Sequence, residues 1–214
     1  MFTGIVQEIG KIGSIESIPG GSRIKINSSK ILDGISVQDS VCINGVCLTA
    51  VKLDKDGFWV EVVGATLEKT TFVNLKLFSA VNLELAMKLN DRLGGHLVLG
   101  HVNGIGCIEE IAKLGGNFWL NIAVPVSMEK YLIEEGSISI DGISLTIAKL
   151  NGKIVGVSII PHTWINTNIK ERKVGDRVNI EIDVLAKYID KLISKDDSFQ
   201  QTKLTNNWLK EIGY

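Results

Sequence analysis

The chain has 214 residues, 45% of them hydrophobic and 22% charged, with a formal net charge of −1. Its charges are interspersed, so it lacks the single-signed field that attracts nucleic acid or an anionic membrane. Three cysteines, at positions 42, 47 and 107, are an odd number without paired metal-ligand spacing. They argue for a reducing compartment and against a disulfide framework or a zinc site.

The opening stretch MFTGIVQEIGKIG has neither a basic n-region nor a continuous apolar run, so no signal peptide is expected. No later apolar run reaches the ~18 residues of a membrane span, and the protein reads as cytoplasmic. Short alternating stretches bounded by Gly, Asn and Asp follow: the opening TGIV, SRIKIN (22–27), VCLTAVKL (46–53), FWVEVV (58–63) and VNLELA (81–86). After the Gly-rich GGHLVLGHV (94–102), a second series runs FWLNIAV (118–124), ISLTIAKL (143–150), IVGVSII (154–160) and VNIEIDV (178–184). These are strand signals at the spacing of an all-β protein. They suggest two similar six-stranded Greek-key β-barrels, whose closure removes exposed edges. Helices are expected at PVSMEKYLIEE (125–135), with Pro125 early, and in the tail from Leu185. There Leu185, Tyr188, Ile189, Leu192 and Ile193 form one apolar stripe, which would either dock on the chain's own barrels or, the favoured reading, pack against the same helix of other subunits. The polar stretch SKDDSFQQTK (194–203) is expected to be loose.

The two series are copies of each other. INGVCLTAVKL (43–53) superimposes on IDGISLTIAKL (140–150) at an offset of 97. The same offset carries Ser40 onto Ser137, Val60 onto Val157, Thr66 onto Thr163, Thr70 onto Thr167, and Val81, Asn82 and Glu84 onto Val178, Asn179 and Glu181. Composition alone would share Val, Ile and Thr between strand-rich halves, but Gly, Asn, Lys and Glu match too, so the chain reads as an internal duplication. Upstream, an offset of 100 sets Gly4-Ile5 on Gly104-Ile105, which would make the second copy three residues shorter before Ser137. The implied domains are barrels over 1–97 and 98–186 and a helical tail over 187–214.

Groups able to carry chemistry are few. His96 and His101 flank the junction of the copies in GGHLVLGHV, and His162 lies in IIPHT. Five residues apart and without a third ligand, the first pair suits acid-base or polar work better than a metal. Cys47 aligns with Ser144, so one position carries a nucleophile-capable group in both copies. Asn44 or Asp141 precedes it across a Gly turn, and Thr49 or Thr146 follows on the same strand face. Each copy thus offers a polar row to a planar heteroaromatic ligand.

The ordered motifs MFTGIV, SVCINGVCLT, GGHLVLGHV, IDGISLT, IIPHT and VNIEID resemble riboflavin synthase of the α-chain type, over residues 1 to about 186. The resemblance implies a cytoplasmic homotrimer that converts two molecules of 6,7-dimethyl-8-ribityllumazine into riboflavin and 5-amino-6-(D-ribitylamino)uracil, with no cofactor and no metal. It implies sites between the first barrel of one subunit and the second barrel of its neighbour. Catalytic or closely supporting roles fall by resemblance on His101, Ser40, Cys47, Asp141 and Thr146. Ligand contacts fall on Phe2, Gly4, Ile5 and Val6, then on Cys47, Leu48 and Thr49, and on Glu61, Val62, Val63, Gly64, Ala65 and Thr66. Further contacts fall on Gly100, His101 and Val102, on Glu135, on Ser144, Leu145 and Thr146, on Ser158, Ile159, Ile160, Pro161, His162 and Thr163, and on Asp183.

The chain departs from that pattern at three points. Glu135 stands where many members carry Lys, Ala65 where the first-copy motif begins with Glu, and Leu99 where a polar residue often precedes Gly-His. The rival reading is a non-catalytic lumazine or flavin carrier of the lumazine-protein type. The joint presence of Cys47, His101, Asp141 and Thr146 favours the enzyme. A nucleic-acid-binding barrel would need basic grooves with exposed aromatics, and aromatics are only 6% of this chain.

Overall fold

Alternation of apolar and polar residues puts one row of side chains inside a cylinder and the other outside. The computed structural model describes residues 1–196 and realises this plan twice. The first barrel comprises β1 (Glu8–Ile18), β2 (Gly21–Asn27), β3 (Ser40–Ile43), β4 (Val46–Asp54), β5 (Gly57–Val63) and β6 (Ala80–Leu85), closed in the order β1-β2-β5-β4-β3-β6. The second comprises β7 (Gly104–Leu114), β8 (Asn117–Ala123), β9 (Ser137–Ile140), β10 (Ile143–Asn151), β11 (Ile154–Ile159) and β12 (Arg177–Ile182), closed in the same cyclic order. All pairings are antiparallel. Ile12, Ile24, Ile26, Phe58, Val60 and Leu83 fill the first interior, and Ile108, Leu120, Ile122, Ile138, Val157 and Ile180 the second.

Strand pairing corrects the upstream register. Gly10 pairs with Val81 and Gly106 with Val178, so Gly10 corresponds to Gly106 and Gly4 to Gly100, an offset of 96. The expected offset of 100 set one glycine-isoleucine pair on the wrong one. The second copy is one residue longer before Ser137, not three shorter. The opening TGIV is not a strand either: β1 starts at Glu8, and before it only Phe2 bridges, to Val98.

Two further expectations change. The stretch 125–135 forms only a short 3-10 turn, Val126–Tyr131, with Pro125 at its N-cap. It occupies the place of the 3-10 turn Leu32–Gly34 in the first copy. Two short helices that alternation cannot signal, α1 (Gly64–Lys69) and α2 (Pro161–Ile165), follow β5 and β11 at equivalent positions. Compactness unites both barrels in one unit over Met1–Val184. The tail is helix α3 (Val184–Asp196), on which Tyr188, Ile189, Leu192 and Ile193 are exposed. Residues 194–196 are therefore helical, and the rest of the stretch expected to be loose lies outside the described residues.

Candidate functional site

The segment leading into each barrel is tied to its own copy and reaches across to the other. In the first copy, Glu84 on β6 accepts the N–H of Thr3 at 2.6 Å and of Gly4 at 3.0 Å, and the Thr3 hydroxyl at 2.7 Å. In the second, Glu181 on β12 accepts the N–H groups of Leu99, Gly100 and His101 at 2.7, 3.0 and 3.1 Å. Burial pushes both carboxyls above their ordinary range, while the donated N–H groups pull the other way. The tied segments then cross: Ser144 N–H donates to Gly4 O at 2.8 Å, and Cys47 N–H donates to Gly100 O at 2.9 Å. Both glycines have φ near +75° to +78°, and a Cβ on either would meet the facing residue's Cβ at 2.5–2.6 Å. Only glycine permits that turn and that approach.

A composite recess follows for the first barrel. Cys47 on β4, Ala65, Thr66 and Lys69 on α1, and Gly100, His101 and Val102 from the other copy's lead-in line a cavity of about 220 Å³. Cys47 pairs across the hairpin with Cys42, and Ser40 with Thr49, so these four share the outer face of β3 and β4. Cys42 is sealed under Phe2 and Val98, and burial pushes its thiol well up. Cys47 is only partly buried and His101 is exposed, so a thiol and an imidazole line the same recess.

The second barrel repeats the plan with different chemistry. Ser137 pairs with Thr146 and Ser139 with Ser144, giving an all-hydroxyl row. Gly4, Ile5 and Val6 stand where the first barrel has Gly100, His101 and Val102. His162 and Thr163 on α2 stand where it has Ala65 and Thr66. Trp164 of α2 stacks on Phe118 of β8 at 3.9 Å, which fixes that helix against the barrel. His96, which repeat matching does not single out, places Nδ1 2.7 Å from Ser144 Oγ. It is 7% exposed, and burial pushes its imidazole below the ordinary value against the pull of Asp183.

Asp141 does not face either row. It sits, like Asn44, at the first position of a tight turn with φ near +47°, and the two turns meet back to back at Gly45 and Gly142. Its Oδ1 accepts Asn179 N–H at 2.8 Å and its Oδ2 accepts Arg172 at 2.6 Å, so both oxygens are committed between the barrels. Asn44 similarly accepts Asn82 N–H, while Asn82 and Asn179 donate across to the carbonyls of Asp141 and Asn44. Thr71 and Asn168 donate N–H groups to the Asn179 and Asn82 side chains. In sequence this buried lattice shows only as the matched triplet of Val, Asn and Glu.

Other expected contacts separate. Leu48, Val62 and Ile159 point into the barrel cores, leaving only their main chains for a ligand, and Leu145 packs against the second core. Phe2 is buried between the barrels. Glu61 is held by Arg23 at 2.6 Å, and Glu135 occupies an exposed turn with φ 64°. Val63, Ile160, Pro161 and Ser158 are exposed, and Gly64 opens α1. Among the described residues, no group of three or more His, Cys, Asp or Glu is placed to hold a metal ion.

Comparison with known proteins agrees with this architecture. The lumazine-binding domain family matches twice, over residues 3–86 and 99–183. The chain is 40% identical to riboflavin synthase of Actinobacillus pleuropneumoniae and 39% identical to that of Bacillus subtilis, in each case over the whole of both chains. Crystal structures of LumP with 6,7-dimethyl-8-(1'-D-ribityl) lumazine and with riboflavin superimpose at TM-scores of 0.78 and 0.80. Both are 27% identical to this chain and cover 85% of it and 99% of themselves. Two barrels, two crossed lead-in segments and two family matches in the same register show that the chain belongs to the riboflavin synthase family of lumazine-binding proteins.

Proposed function

We propose that the protein is a riboflavin synthase, transferring a four-carbon unit between two molecules of 6,7-dimethyl-8-ribityllumazine to give riboflavin and 5-amino-6-(D-ribitylamino)uracil. The two products together contain the atoms of two substrates, so the reaction calls for no oxidant, reductant or cofactor. The observation that carries the reading is the pair of related half-sites on one chain, Cys47 with His101 and Ser144 with His96. Two like ligands need two like seats, and different roles need different side chains.

In this reading the first barrel (1–97) and second barrel (98–186) each seat one pteridine edge on main-chain N–H and C=O groups. The hydroxyls of Thr49, Thr66, Thr146 and Thr163 face the ribityl chain. His101, with Ser40, handles the proton leaving the C7 methyl of one ring, and Thr146 is a supporting residue. Cys47 supplies the nucleophile or its polar support. Asp141 acts from beneath, by holding the turn that presents Ser144. Bringing the rings together is worth ~7–11 kcal/mol where the geometry is good. The apolar stripe of α3 is the proposed contact of a cytoplasmic homotrimer, in which the first barrel of one subunit faces the second barrel of its neighbour.

The test is direct: purified protein with the lumazine substrate and no additive should develop riboflavin fluorescence. Tight ligand binding without turnover would instead mark a non-catalytic carrier of the lumazine-protein type.

A further inference from the structure

We propose that His96 is the positioning residue of the second barrel's half-site: its Nδ1 fixes the direction in which the Ser144 hydroxyl meets the ring edge of a bound lumazine or flavin. The proposal rests on the function given above and adds a residue to it.

Three observations converge. The first is contact, since Nδ1 lies 2.7 Å from Ser144 Oγ. A serine hydroxyl otherwise rotates to suit any neighbour. With one bond committed to the imidazole, its remaining hydrogen-bonding capacity points in a set direction, whichever nitrogen carries the proton.

The second is confinement. His96 N–H donates to Thr3 O at 3.2 Å. The preceding Gly95 lies so close that a Cβ there would stand 2.2 Å from Thr3 O and 2.8 Å from Ser144 Oγ. The ring is 7% exposed, and its Nε2 is buried without a hydrogen-bond partner among the described residues. A histidine held so tightly, with burial lowering its imidazole's pKa against the pull of Asp183, suits a fixed hydrogen-bonding role.

The third is asymmetry. At the upstream offset of 96, Ile5 stands where the second lead-in carries His101, so the second half-site draws its buried imidazole from a different place, His96 in the junction between β6 and β7. The two half-sites therefore hold imidazoles at non-equivalent positions: His101 exposed beside the Cys47 thiol in the first, and in the second His96 buried behind the Ser144 hydroxyl, with His162 supplied separately by α2. Two identical substrates thereby meet an exposed imidazole beside a thiol in one seat and a confined hydrogen-bonding group in the other.

A double-mutant cycle on the full chain tests this, with riboflavin formation from 6,7-dimethyl-8-ribityllumazine as readout. His96→Ala and Ser144→Ala should each lower kcat/KM by about tenfold, the loss of one good hydrogen bond. The double variant should be no slower than Ser144→Ala, because His96 acts only through that hydroxyl. His96→Asn, whose amide can take the place of Nδ1, should recover most of the rate. His96→Gln, whose amide lies further out, should not. Losses that multiply in the double variant, or His96→Ala and His96→Gln both at wild-type rate, would overturn the proposal. If His96→Ala does not fold, the Asn and Gln pair decides the matter, each checked by thermal melting. Absence of turnover in the wild-type chain would overturn the proposed function instead. The same cycle would then be read in riboflavin affinity by fluorescence. A double variant binding no more weakly than Ser144→Ala would support the positioning role, and affinity losses that multiply would overturn it.

Discussion

Glu84 and Glu181, related by the duplication, each accept the backbone N–H groups of the segment that leads into their own barrel. Each thereby aims that segment at the other barrel's reactive row. Glu181→Ala would leave three donors, that of Gly100 buried and those of Leu99 and His101 part-buried, without this acceptor and free Gly100 and His101 from the recess. Unsatisfied buried donors cost about 1–3 kcal/mol each. We expect a loss of stability of roughly 3 kcal/mol by urea unfolding, together with a large fall in kcat. Glu84→Ala should lose comparable stability while disturbing the opposite half-site, so ligand titration should show different affinities lost in the two variants.

Asp141 and Arg172 form an ion pair at 2.6 Å where the first copy has Asn44 and Leu75. Removing one partner of a buried pair costs ~3–5 kcal/mol, whereas replacing both can be neutral. Arg172→Leu should therefore be strongly destabilising. Asp141→Asn with Arg172→Leu, which copies the first barrel's solution, should recover most of that loss in thermal melts. Equal destabilisation of the single and double variants would show that Arg172 matters for packing alone.

Burial depresses the His96 pKa in the folded chain, so the unfolded chain binds more protons near the ordinary value of 6.5. The neutral imidazole's contribution to stability is complete above that pH and is lost as pH falls through the folded pKa. The stability difference between wild type and His96→Asn should therefore shift against wild type on going from pH 8 to pH 5, as followed by denaturant titration. A constant difference would mean that His96 remains ionisable when folded as it is when unfolded.

Gly142 has φ +77°, and a Cβ there would meet the Gly45 nitrogen at 2.7 Å. Gly142→Ala should cost roughly 2 kcal/mol or more, combining left-handed strain with a backbone clash. Gly115→Ala, at φ +59° with nothing near its Cβ, should cost only the strain. Thermal unfolding of the two variants separates the contributions.

The barrels are legible in the sequence because alternation reports which strand face is buried. The duplication is legible because Asn82, Glu84, Asn179 and Glu181 are polar residues that composition would not repeat by chance. The upstream register is not. Glycines and isoleucines recur too freely there, and only the pairing of Gly10 with Val81 and of Gly106 with Val178 fixes the offset. Helices α1 and α2 escape because five or six residues give too little periodicity to detect. His96 is noticed with His101 as a residue for acid-base or polar work, but its contact with Ser144, 48 residues away, is visible only in the fold. The resemblance gives Asp141 a catalytic or closely supporting role; that its carboxylate bonds Arg172 and Asn179 is not legible in sequence, because those partners come from distant parts of the second copy.

The crossed lead-in segments make chain order and spatial order disagree. A fragment ending at residue 97 would keep Cys47 and Thr66 but surrender Gly100 and His101, while its own Gly4 would have no Ser144 to receive. Severed halves would have to find each other as separate molecules do, without the millimolar-scale effective concentration that a short tether provides. The stretch between β6 and β7 thus acts as a tether, converting a bimolecular encounter of the two barrels into an intramolecular one.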